Sequence, residues 1–215
     1  MITGGGIRGS TMRGSDGIRY NQKHPGITLV CFGRIEHDLK DELLHSLSAF
    51  FDTLQEELPV RPVCSCRFEP DPEKIPAQNQ ETAYFPVLEI AGGNIILGVT
   101  NTGFYDPSLP RYIFSYGRFN GLGLLSTYRF RNETNTRRQY LERMGKQIIK
   151  TLAMACSLDA CPDKGCVVSY HRYVDDLDHN RYVCESCRTE FIRSLKFFLD
   201  IPYGDASNLL QTEGE

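Results

Sequence analysis

The sequence predicts a single α/β domain built on a mixed twisted sheet, with two long helices and a small C-terminal lobe, and three observations carry that prediction. Short β-branched runs such as Ile27-Thr28-Leu29-Val30-Cys31-Phe32 and Ile96-Leu97-Gly98-Val99-Thr100 read as buried strands. Two stretches repeat apolar residues at three- and four-residue intervals, the pattern of amphipathic helices. Near the end, Cys161-x4-Cys166 and Cys184-x2-Cys187 set two close thiol pairs seventeen residues apart, the spacing by which one chain wraps a tetrahedral metal.

Taken in order, residues 1–25 are rich in Gly, Ser and Arg and read as a flexible leader, its Arg-Gly pairs solvated rather than phosphate-binding. Residues 26–215 form the domain, with sheet and helices over 26–158 and the four-cysteine lobe over 159–215. After the first strand, Asp38 caps a helix running to about Leu58, with Leu39, Leu43, Leu47, Phe50, Phe51 and Leu54 on its apolar face. Pro59 and Pro62 end it, Val63 to Phe68 alternates as a strand, and Glu69 to Asn79 is a Pro-rich loop. A short helix spans about Glu81 to Ile90 despite Pro86, and Asn94 to Thr100 is a strand. The second long helix covers Arg137 to Cys156, its face made by Leu141, Met144, Ile148, Leu152 and Ala155. Thr189 to Leu199 is a last amphipathic helix, ended by Pro202 and Gly204 before an acidic, frayed tail.

Composition narrows the function classes. A net charge of −3 and a pI near 6.0 give no basis for a nucleic-acid or anionic-membrane partner. No apolar run approaches the roughly 20 residues of a membrane span, and the N-terminus lacks the apolar core of a signal peptide. The expected compartment is therefore cytoplasmic and reducing, and the cysteines are expected as thiols. On this reading Cys161, Cys166, Cys184 and Cys187 hold one structural zinc. Four thiolates complete its tetrahedron and leave no position for water, with Lys164 and Arg188 offsetting the charge. Two disulfides or four free core thiols are the alternatives. Cys31, Cys64, Cys66 and Cys156 lie in apolar contexts, and His37 and His45 have no partner spaced for a site.

The stretch Arg143-Met144-Gly145-Lys146-Gln147-Ile148-Ile149-Lys150-Thr151-Leu152-Ala153-Met154-Ala155-Cys156-Ser157-Leu158-Asp159-Ala160-Cys161 resembles the active-site helix of the archaemetzincins, a metzincin-like family of zinc peptidases. In that family the motif H-E-x-x-H-x-x-G-x-x-H runs into a Cys, followed by C-V-M and a C-x-x-C pair. Here Arg143, Lys146, Leu158, Cys161, Cys166-Val167, Ser169, Asp178, Cys184 and Cys187 fall at family positions. So do the strand and loop Ile96 to Thr100 with Tyr105 and Pro107, the segment Phe114-Ser115-Tyr116-Gly117, and the strand Leu124 to Arg129. The resemblance implies a metzincin-like fold in which that last strand is the sheet edge beside a substrate cleft. It places the three zinc-binding histidines on Lys150, Met154 and Ala160 and the catalytic Glu on Thr151. The Gly that turns the chain falls on Ser157 and the Met-turn methionine on Val168.

A catalytic zinc needs three neutral or anionic ligands, an open position for water and a carboxylate to take its proton. Lys150 brings a cation, Met154 a weak thioether, Ala160 no donor, and Thr151 is no base at neutral pH. The expectation is thus a pseudopeptidase with one structural zinc, binding a peptide or protein along an exposed sheet edge by strand addition. The alternatives are an active zinc peptidase with a nonstandard site and a zinc-stabilised structural partner subunit. The segment between the thiol pairs offers such a site: were it helical, His171, Asp175 and His179 would share one face and could bind a second metal. Against this stands a polar surface loop in which Asp178 makes structural hydrogen bonds. Lys150 reads as a solvent-facing helical lysine, its alternative a nucleophile in a dry pocket. Ligand, partner and oligomeric state are not legible in the sequence.

Overall fold

The computed structural model describes residues 26–58, 60–72, 81–89, 91, 94–106, 111–118, 120–134 and 136–199. The predicted leader and acidic tail lie outside them. Among the described residues the elements follow in the order β1 (Gly26–Phe32), α1 (His37–Asp52), β2 (Val63–Glu69), α2 (Glu81–Glu89), β3 (Ile95–Thr100), β4 (Phe104–Asp106), β5 (Arg111–Ile113), β6 (Ser115–Arg118), β7 (Leu122–Ser126), α3 (Tyr128–Asn132), α4 (Arg137–Ala155), α5 (Asp176–His179) and α6 (Glu185–Phe198).

The alternation of apolar residues along the strands builds two cores, one on each face of the sheet. Ile27, Leu29 and Cys31 of β1 point to a larger core with Leu97 of β3, Leu43 and Leu47 of α1, and Ile148 and Leu152 of α4. Val30 and Phe32 point the other way, to Tyr84, Phe85 and Leu88 of α2. The sheet order is β2-β1-β3-β7-β6, with the first four strands parallel and β6 antiparallel to β7; β4 and β5 form a separate antiparallel pair. Strands buried on both faces need continuous apolar runs, which is why β1 and β3 stand out in the sequence.

Several boundaries differ from expectation. Asp38 is not the cap of α1, whose N-cap is Glu36; Asp38 accepts from Leu39 N (3.0 Å) and pairs with Arg137. That helix stops at Asp52, six residues before Leu58, although Leu54 and Leu58 remain buried in the turns that follow. The strand expected to run to Arg129 ends at Ser126, and Tyr128 opens α3. It is also not a sheet edge: β7 lies between β3 and β6, and β6 is the edge strand on that side, β2 on the other. Finally, α6 begins at Glu185 with Cys184 as its N-cap, so Cys187 sits in its first turn.

Candidate functional site

Two neighbouring regions carry the chemistry. In the first, α6 brings Cys184 and Cys187 against the loop that holds Cys161 and Cys166. The loop is shaped by backbone hydrogen bonds from Val167 to Tyr182 (2.8 Å) and from Arg181 to Gly165 (2.9 Å). All four Sγ atoms lie within 4.8 Å of one another, and Cys161 Sγ is 3.6 Å from Cys184 Sγ. A metal with sulfur ligands at about 2.3 Å has tetrahedral edges of about 3.8 Å, so this cluster could hold one with small adjustments. Cys161, Cys166 and Cys187 are buried and Cys184 is half-buried. The Cys184 amide donates to Cys166 Sγ at 3.4 Å, the kind of bond that supports a thiolate. Arg188 does not serve as expected: its guanidinium is held by Glu57 (2.9 Å) and the Thr53 carbonyl. Among the described residues no other group of three or more His, Cys, Asp or Glu ligand atoms comes together.

The second region is the C-terminal half of α4. Thr136 caps this helix by accepting from Gln139 N (3.2 Å), and at its other end Ser157 stands at φ 68°, the left-handed region. There Ser157 N donates to Met154 O (3.1 Å) and Leu158 N to Ala153 O (2.9 Å), the paired bonds of a Schellman turn. A glycine would suit that position; it is the residue the resemblance places there. Gly117 of β6 lies flat on the helix: a Cβ there would stand 2.5 Å from Met154 Cβ and 2.6 Å from Met154 O, so only glycine allows this approach.

The four motif positions do not converge on a metal site. Lys150 is half-buried, not solvent-facing, and its Nζ donates to Ser169 O at 2.5 Å. Burial pushes its pKa down to about 8, with Asp176 opposing and Lys164 adding to the shift. Thr151 is fully buried and donates its hydroxyl proton to Gln147 O at 2.8 Å. Met154 Sδ faces away, accepting from Ser115 Oγ at 3.3 Å, while Gln147 Nε2 donates to the same hydroxyl at 2.8 Å. Ala160 is exposed and lines a separate cavity of about 450 Å³ beside the cysteines. With an ammonium, a weak thioether turned onto Ser115, a methyl group and an already bonded hydroxyl, these residues do not fit a catalytic zinc.

Nor do His171, Asp175 and His179 form a site, because the segment is helical only over Asp176–His179. His171 is buried and neutral, its pKa pushed down to about 3 by burial and then by the Lys150 charge. Asp175 and Asp178 instead hold the buried Arg143, at 2.6 Å each, and Gln139 also donates to Asp178 (3.3 Å). The Arg143 guanidinium in turn keeps the Asp178 carboxyl below its usual range. Sequence reading gave no role to Ser115, Gln147 and Ser169: Gln147 is a buried polar residue of α4 itself, and Ser115 and Ser169 reach it and Lys150 from other segments.

No protein-family model matches the chain. It is 28% identical over 128 residues to an archaemetzincin of Aeropyrum pernix, covering 59% of this chain and 67% of that protein. Its fold is that of the crystal structure of an archaemetzincin from Methanopyrus kandleri, with TM-score 0.64 and 24% identity over 83% of this chain and 99% of the other. A zinc-dependent peptidase from Methanocorpusculum labreanum (TM-score 0.58, 18% identity, 77% and 100% covered) shares it. So does a malonate-bound archaemetzincin from Archaeoglobus fulgidus (0.58, 18%, 76% and 99%).

Proposed function

We propose, on the premise that this chain is a homologue of the archaemetzincins in sequence and fold, that it is a non-catalytic member of that group. On this reading it keeps one structural zinc and binds peptide or protein where a peptidase would hold its substrate. The observation that carries the reading is the Lys150 ammonium bonded to the Ser169 carbonyl. A cation fixed at the first ligand position repels a divalent ion, and the Thr151 hydroxyl beside it can take no proton from water.

The zinc assigned to Cys161, Cys166, Cys184 and Cys187 would be closed by four thiolates, and its binding energy would serve folding. Peptide binding is supported by β6, a short edge strand held against α4, because strand addition uses backbone groups and no metal. The eight free thiols support a reducing, cytoplasmic setting, and no helix among the described residues is long and apolar enough to cross a membrane.

The test is incubation of the purified protein with a diverse peptide mixture, read by mass spectrometry with and without a zinc chelator. No chelator-sensitive cleavage is expected, and cleavage that the chelator abolishes would overturn the reading. In parallel, Lys150→His, Thr151→Glu, Met154→His and Ala160→His combined should create a second zinc site. No gain of zinc in that variant would count against the alignment of these four positions.

A further inference from the structure

Outside the cysteine cluster, the chain between the two thiol pairs encloses a cavity of about 510 Å³ open to the surface. Its wall includes Lys164, Tyr170, Arg172, Tyr173 and Asp176. The protein has more acidic than basic residues, and elsewhere Arg61, Arg67, Arg118, Arg137, Arg143 and Arg188 all sit on carboxylates. At this cavity two cations line one wall without such a partner. The Arg172 guanidinium lies 5.4 Å over the Tyr173 ring, and neither it nor the Lys164 ammonium meets a carboxylate among the described residues. The acid present, Asp176, is turned onto the backbone, where its Oδ2 accepts from Arg172 N (2.6 Å) and Tyr173 N (2.8 Å). Those bonds hold the loop that presents Arg172 and draw Asp176 Oδ2 onto the backbone rather than onto the guanidinium. A third positive charge stands behind the wall, since Lys150 Nζ lies 5.8 Å from the Tyr170 ring.

We infer that this cavity binds the carboxylate side chains of an acidic peptide, with Lys164 and Arg172 as the charged contacts and Tyr170 and Tyr173 as flanking surfaces. This rests on the peptide-binding reading above and names the class of peptide. Both tyrosines are about half exposed, at 47% and 57%, and offer rigid faces on which the methylenes of a glutamate can pack. The floor is pre-formed, because the buried Asn180 donates to both the Lys164 carbonyl (2.7 Å) and Ser169 Oγ (3.2 Å). A carboxylate is favoured over a phosphate. Phosphate sites draw on oriented backbone N–H groups, and Asp176 already occupies those of Arg172 and Tyr173.

The experiment measures fluorescence anisotropy of labelled oligo-glutamate and oligo-glutamine peptides of equal length with the zinc-loaded protein, at low and at physiological salt. The glutamate peptide should bind about tenfold more tightly, the sum of two modest charge contacts, and its advantage should shrink with salt. The double variant Lys164→Gln/Arg172→Gln, altered only at exposed side chains, should lose that preference while keeping its melting temperature and its affinity for oligo-glutamine. Equal binding of the two peptides would overturn the acidic-peptide inference and leave peptide binding standing. Binding of neither would overturn both. A preference that survives in the double variant would show that the charge is read elsewhere and would overturn this site.

Discussion

The cysteine cluster and the C-terminal half of α4 are joined by only five residues, Cys156 to Ala160, yet they hold opposite resources. The cluster has a complete set of soft donors drawn from two loops to within 4.8 Å. The helix has the geometry of a site without the donors: its left-handed turn at Ser157 and the close approach of Gly117 are in place, while Lys150, Met154 and Ala160 point to three different neighbourhoods. The difference teaches that backbone turns and metal ligands are specified separately. Those turns also terminate a helix and seat a strand, and both tasks persist when the metal chemistry does not.

If that contrast is right, the two regions respond to mutation on different scales. Cys184→Ser should give the largest effect. It removes one of four clustered sulfur donors while a serine still suits the N-cap of α6, so the loss of most of the folded protein and of its zinc should come from the metal site alone. Soluble yield, melting temperature and metal content together check this, and an unchanged melting temperature with full zinc would remove the cluster from the account.

In the helix region the expected effect is smaller and depends on pH. The Lys150 ammonium is depressed from 10.5 to about 8 by burial in the folded protein. Below about pH 8 both states hold the proton and the half-buried charge costs stability. Between about 8 and 10.5 only the unfolded chain keeps it, so stability gains with rising pH. Lys150→Met should lack that gain, by about 1–2 kcal/mol after allowance for remaining solvent contact. Denaturant midpoints of the two proteins across the window give the answer, and parallel pH profiles would mean that Lys150 is not desolvated.

The smallest expected effect is at Ser157. Replacing a non-glycine residue at φ 68° by glycine should stabilise the protein by about 0.5–1 kcal/mol, read as a higher urea midpoint. A loss of stability would place the native turn in some other conformation.

What was legible in the sequence follows the physics of each signal. Repeated apolar residues announced β1, β3, α1 and α4, because burial on a sheet face or helix stripe has a fixed period. The thiol spacing announced the cluster, since short loops between ligands are dictated by metal geometry. The sheet edge was misassigned because β6 is four residues long with Gly117 in it, too short and too irregular to show a period. The environment of Lys150 was misread for another reason: its burial comes from the turn at Ser169, which approaches from nineteen residues away and leaves no mark on the helix pattern. The start of α6 lies earlier than expected because Cys184 stands at its N-cap position with no side-chain capping bond, so the residue types there give no helix-start signal.

The most direct test of the contrast between the two regions is metal stoichiometry per chain, by elemental analysis of protein purified without added metal. The account predicts one zinc, resistant to mild chelation and lost in Cys184→Ser. Two zincs per chain, one of them readily removed, would contradict it, because among the described residues no second set of three or more His, Cys, Asp or Glu ligand atoms comes together.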